Sequence, residues 1–122
     1  MSLKRVLIVD DSDCYLASFF EKLSVITEVS IIMVNSSEQF LKVWEVDQNF
    51  DLIYMDACLD SDELDTIPLI NKIRETSNCP IVAATSMDTA RKKMILAGCD
   101  YEFTKLRFNE VFVEQFKNIL NL

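Results

Sequence analysis

Five polar residues in this chain, Asp10, Asp11, Asp56, Thr85 and Lys105, stand at the ends of short apolar runs, and together their side chains could handle a phosphoryl group. Val6-Leu7-Ile8-Val9 stops at Asp10-Asp11, Leu52-Ile53-Tyr54-Met55 at Asp56, Ile81-Val82-Ala83-Ala84 at Thr85, and Tyr101 to Thr104 at Lys105. Such runs are too short for helices and rich in strand formers, so they read as buried parallel strands. In a parallel sheet all carboxyl ends share one edge, where open α/β sheets place ligands and chemistry. Three carboxylates gathered there repel unless a cation joins them, and hard oxygen ligands suit Mg²⁺. A hydroxyl and an ammonium would supply further charge stabilisation for phosphoryl transfer, with one carboxylate as nucleophile. Taken singly, each group also has a plain structural role: a helix cap for Asp10, Asp11 or Asp56, a strand-end hydroxyl for Thr85, a solvated lysine for Lys105. Their conjunction points to a site.

The elements that must position these groups alternate regularly. After the first strand, Ser12 or Asp11 caps a helix over roughly residues 12–24, with Leu16, Phe19, Phe20 and Leu23 at helical spacing. A second strand spans Val29 to Val34, and Asn35-Ser36-Ser37 caps a helix whose apolar stripe is Phe40, Leu41 and Trp44. The third strand, 52–55, leads to an acidic loop at 60–65. A helix follows with Ile67, Ile70 and Ile73 on one face and Pro68 in its first turn, ending at Asn78-Cys79-Pro80. A helix over 88–97 closes at Gly98, the only glycine, and a last helix over about 108–120 carries Phe108, Phe112, Phe116 and Leu120 as a core stripe. Five strand–helix repeats predict an α/β, doubly wound, five-stranded parallel sheet with helices on both faces and right-handed crossovers.

At 122 residues, with half of them hydrophobic and only one Gly and two Pro, the chain reads as one domain, 1–122, with a core and no linker. A net charge of −8 argues against direct nucleic-acid binding, which needs a basic face. The one basic cluster, Arg91-Lys92-Lys93, is expected on a solvated helix face that could dock an acidic partner. No apolar run reaches bilayer length and no signal pattern opens the chain, so a soluble cytoplasmic protein without membrane association is expected. Cys14, Cys58, Cys79 and Cys99 form no Cys-x-x-Cys pair and there is no histidine, which argues against structural zinc and removes the commonest general base. The cysteines are expected to be reduced, packed thiols.

Val9-Asp10-Asp11-Ser12, Met55-Asp56, Ala83-Ala84-Thr85-Ser86, and Ala97-Gly98-Cys99-Asp100 running to Thr104-Lys105 resemble, in this order, the receiver domains of two-component response regulators. The resemblance covers essentially the whole chain. It implies the flavodoxin/CheY-like strand order 2-1-3-4-5 with five flanking helices. It also implies that Asp56 accepts a phosphoryl group from a histidine kinase or histidine phosphotransfer protein. Asp10 and Asp11 would hold Mg²⁺ with Asp56 and the Cys58 main-chain carbonyl, Thr85 would be the switch hydroxyl and Lys105 the phosphate-contacting lysine. Such a domain is a regulatory phosphoacceptor rather than a classical enzyme. It would switch binding to a downstream protein target or detached output domain, and a homodimer through the fourth helix, fifth strand and fifth helix is compatible with the family.

Several positions depart from the family. The loop Leu59 to Thr66 is about two residues longer than usual, strongly acidic and without glycine, and its carboxylates are expected to be solvated. Leu106 stands where proline usually follows the lysine, and Glu102 where an aromatic switch residue is usual. Tyr101 and Phe103 flank Glu102 but point to the opposite face. Cys58 and Met87, flanking the site, orient an attacking water poorly, so a phosphorylated Asp56 is expected to hydrolyse slowly. The alternative from another class is a phosphorylation-independent, pseudo-receiver interaction module.

Overall fold

The computed structural model describes residues 3–104 and 110–122. Its strands are β1 (Lys4–Val9), β2 (Val29–Val34), β3 (Leu52–Asp56), β4 (Ile81–Ala84) and β5 (Tyr101–Phe103). They alternate with helices α1 (Asp13–Leu23), α2 (Ser37–Val46), α3 (Ile67–Thr76), α4 (Asp88–Ala97) and α5 (Glu110–Leu120). The strands form one parallel sheet in the order β2-β1-β3-β4-β5, as expected for the flavodoxin/CheY-like architecture. The start of the last helix stripe, Phe108, lies outside the described residues, as do Lys105 and Leu106.

The period-two alternation of each strand divides the core between the two faces. Val6, Ile8, Leu52, Tyr54, Val82, Ala84 and Phe103 pack with Phe19 and Leu23 of α1 and with Phe112, Phe116 and Leu120 of α5. Leu7, Val9, Val34, Ile53, Met55, Ile81 and Ala83 pack on the other face, against Phe40 and Trp44 of α2, Leu69, Ile70 and Ile73 of α3, and Ala90 and Met94 of α4. Tyr54 sits among the rings of Phe19, Phe103, Phe112 and Phe116, with centroids 4.4 to 6.5 Å away. Burial pushes its phenol pKa well above the ordinary value, and nearby Asp10 and Asp56 add to that effect.

Three apolar expectations are corrected. Phe20 is 61% exposed and Leu41 is also exposed, because Phe19 with Leu23, and Phe40 with Trp44, hold the sheet-facing stripes and the next residue lies about 100° around the helix. Cys14 is exposed on α1 rather than packed, whereas Cys99 is buried and Cys58 and Cys79 are half-buried; all four are free thiols. Burial lifts the Cys99 thiol pKa to about 12.

The chain ends its helices by local chemistry. Ser12 and Ser36 cap α1 and α2 by accepting the Tyr15 and Gln39 N–H groups at 3.3 and 3.1 Å. Gly98 closes α4 at φ 131°, a region that side chains rarely adopt, and a Cβ there would meet Arg74 Cγ at 2.9 Å. Arg74 fills that space, donating to the carbonyls of Gly98, Ser77 and Cys79 at 2.9 to 3.1 Å and pairing with Asp100 at 2.7 Å.

Candidate functional site

At the carboxyl edge of the sheet the acidic groups come together. Asp10 follows β1, where its N–H donates to the Val34 carbonyl at 3.1 Å, so the main chain still runs with the sheet. Its Oδ1 accepts the Ser12 N–H at 2.9 Å, which bends the chain into α1. Asp56 is the last residue of β3 and lies in register with Ala84 at the end of β4. Asp10 and Asp56 are buried and Asp11 is exposed, and each offers a carboxylate oxygen within 4.8 Å of the others. Carboxylates this close repel by up to about 4 kcal/mol per pair at an effective dielectric near 20, less for water-facing Asp11, so the arrangement suits a hard divalent cation.

The loop after β3 is tied down beneath this cluster. Buried Thr66 gives up the usual capping role at α3: its hydroxyl reaches the Asp56 carbonyl at 2.7 Å and the Ala57 carbonyl at 3.2 Å. The expectation that all the loop carboxylates are solvated is corrected at Asp65. That carboxylate accepts the N–H groups of Leu59 and Asp60 at 2.8 and 2.9 Å and the Ser61 hydroxyl at 3.1 Å, taking the part that a glycine turn would play. Asp60 in turn accepts the Ser37 N–H at 3.2 Å, joining the loop to the start of α2. Cys58, between these anchors, is half-buried.

Thr85 is buried just past β4. Its N–H donates to the Phe103 carbonyl at 3.2 Å, and its hydroxyl accepts the Met87 N–H at 3.1 Å ahead of α4. Its carbonyl accepts from Arg91 at 2.7 Å, and Arg91 also pairs with Asp88. The basic cluster is therefore split: Lys92 and Lys93 face water as expected, but the Arg91 side chain is only 12% exposed. The missed signal is angular, since in helical projection Arg91 lies about 60° from buried Met94, on the side that also carries buried Ala90. Glu102 of β5 is exposed and lines a shallow groove with Lys92, Ile95 and Leu96, while Phe103 is buried against the opposite helices. Lys105 and its peptide bond to Leu106 lie outside the described residues.

No family model matches the sequence, and no curated protein sequence matches it either. Solved structures do match. A two-component response regulator from Clostridium difficile is 26% identical, over 97% of this chain and 96% of its own, with a TM-score of 0.84. A CheY-like response regulator receiver domain from Methanospirillum hungatei JF-1 is 24% identical, over 98% and 95%, with a TM-score of 0.83. The chain has the CheY-like receiver fold. A BeF3-activated DrrB receiver domain shares this fold at 24% identity, over 98% and 99% of the two chains, with a TM-score of 0.78. Within the receiver fold, Asp10, Asp11 and Asp56 form an acidic cluster able to bind a metal ion, while Thr85 stands at the end of the neighbouring strand. Among the described residues, no helix is long and apolar enough to cross a membrane.

Proposed function

We propose that the chain is a single phosphoacceptor domain of two-component signalling, with Asp56 accepting a phosphoryl group from a histidine kinase or histidine phosphotransfer protein. The observation that carries this reading is the clustering of Asp10, Asp11 and Asp56 within 4.8 Å at the end of a receiver sheet. The donor set fits Mg²⁺, held by Asp10, Asp11, Asp56 and the Cys58 main-chain carbonyl, and when bound it would neutralise charge on the phosphoryl oxygens. An Asp56 oxygen attacks phosphorus; the P–O bond forms as the P–N bond to the donor imidazole breaks, and the imidazole leaves with the electron pair and retains its own proton on the other nitrogen. The Thr85 hydroxyl and Lys105 ammonium donate to the new phosphoryl oxygens. Those contacts shift α4, β5 and α5 and so alter binding of a downstream partner or output domain. The absence of an aromatic at exposed Glu102 favours the second reading, a phosphorylation-independent interaction module.

Intact-mass spectrometry with Mg²⁺ and acetyl phosphate separates the two. The expected outcome is one phosphoryl adduct that disappears in Asp56→Asn and when metal is chelated. An unmodified wild-type mass, under conditions that label another receiver, assigns the interaction module instead. Met87 is exposed beside Thr85, so Met87→Glu is expected to shorten the lifetime of the adduct by offering a water-orienting carboxylate.

A further inference from the structure

We propose that Arg91 is a positioning residue for the site: its guanidinium fixes the Thr85 peptide and thereby the direction from which the Thr85 hydroxyl meets a phosphorylated Asp56. This rests on the phosphoacceptor reading above. Among the described residues Thr85 has three anchors, and two of them are local to the sheet and turn: its N–H bond to Phe103 and its hydroxyl's bond from Met87. The third is the Arg91 bond to its carbonyl at 2.7 Å, the one made by a long side chain from a different element. Arg91 is itself held from the far side by Asp88 in the first turn of α4, so the guanidinium bridges the helix start to the strand end. A planar group donating in two fixed directions transmits orientation that a single flexible donor does not.

The surroundings separate positioning from folding. Arg91 lines an open groove of about 810 Å³ with Ser86, Glu102 and Glu114. When the guanidinium is removed, water from the groove can reach the Thr85 carbonyl, so the peptide loses its direction without leaving a buried polar group unsatisfied. The hydroxyl keeps its proton for donation but samples more orientations, and phosphoryl transfer is sensitive to such misplacement.

The test is a double-mutant cycle between Arg91→Met and Thr85→Ala, with the rate of Asp56 labelling by acetyl phosphate followed by intact mass at saturating Mg²⁺. Arg91→Met is expected to lower the maximal rate roughly tenfold with little change in KM, to be partly rescued by Arg91→Lys, and to have no further effect once Thr85 is Ala. Equal slowing by Arg91→Met with and without Thr85, or labelling at the wild-type rate, overturns the proposal while the phosphoacceptor reading stands. A wild type that takes no phosphoryl group overturns both. Far-UV circular dichroism checks each fold, and Arg91→Gln, whose shorter amide cannot reach both Thr85 and Asp88, enters the same cycle should Arg91→Met not fold.

Discussion

The two edges of the sheet use charge in opposite ways. At the amino edge, acids and bases are matched: Arg5 pairs with Asp47 at 2.7 Å and donates to the Asn49 carbonyl, Asp51 accepts the Arg5 N–H, and Arg74 joins Asp100 to three carbonyls. The Asn49 N–H, and with it the Arg5 guanidinium, holds the Asp47 carboxyl below its usual range. At the carboxyl edge, like charges are crowded instead, with Asp10, Asp11 and Asp56 within 4.8 Å. The first edge pairs its charges with partners of opposite sign and the second gathers like charges, which is the pattern expected where a site is kept ready for a ligand.

High pH should break the contrast most severely. Cys99, next to Arg74 and Asp100, has its pKa lifted from 9.0 to about 12, and Tyr54, beneath the acidic cluster, has its own raised well above 10.0. The unfolded chain releases these protons first, so stability is intact below pH 9 and is lost as pH rises toward the folded values. Each group contributes a slope of up to about 1.4 kcal/mol per pH unit. Urea melts between pH 8 and 11 should show the loss beginning near 9, and Cys99→Ala should make it shallower, leaving half-buried Cys79, whose thiol burial also pushes up, and Tyr54 to carry the rest.

The next largest effect is expected at the amino edge. Arg74→Met removes an ion pair and three carbonyl hydrogen bonds, and should cost about 2 kcal/mol in urea melts at neutral pH. At the carboxyl edge the sign should reverse: Asp10→Asn relieves repulsion and should raise metal-free stability by about 1 kcal/mol. Mg²⁺ at ten times its Kd should stabilise the wild type by about 1.4 kcal/mol if it occupies the proposed site, and Asp10→Asn should abolish that gain. Loss of metal-free stability in Asp10→Asn would show that the crowding is already compensated. The smallest effect belongs to neither edge: Glu38→Gln breaks the exposed pair with Lys42 on α2 and should change stability by less than about 0.5 kcal/mol.

The order of elements was legible because the first, third and fourth strands are short apolar runs stopped by a polar group, and because Ser12 and Ser36 announce their helices through a chemistry confined to three residues. Strand order was available through resemblance and the grouping of Asp10 with Asp56 through the shared carboxyl edge of a parallel sheet, and fold geometry then supplied the distances. Three features were hidden because they depend on how a loop folds back on itself or on an angle around a helix. Asp65 looked like one more acid in an acidic loop, and only the folded loop turns three donors toward it. Arg91 looked like the first of three solvated basic residues, yet about 100° per residue takes it from the side of Lys92 to the shelter of Met94 and the Thr85 carbonyl. Phe20 looked like core for the converse reason, since an apolar residue beside a stripe is invisible to composition.

The closure of α4 at Gly98 also has a genetic consequence. A methyl group there would press on the stem of Arg74, the residue that holds the amino edge, so a single codon change would disturb the helix terminus and the ion pair with Asp100 together. Gly98→Ala should therefore behave as a temperature-sensitive allele, folded when cells grow cool and cleared by proteases when they grow warm, and a shorter side chain at codon 74 should fail to suppress it, because the backbone strain at φ 131° persists and the Arg74 bonds are lost as well.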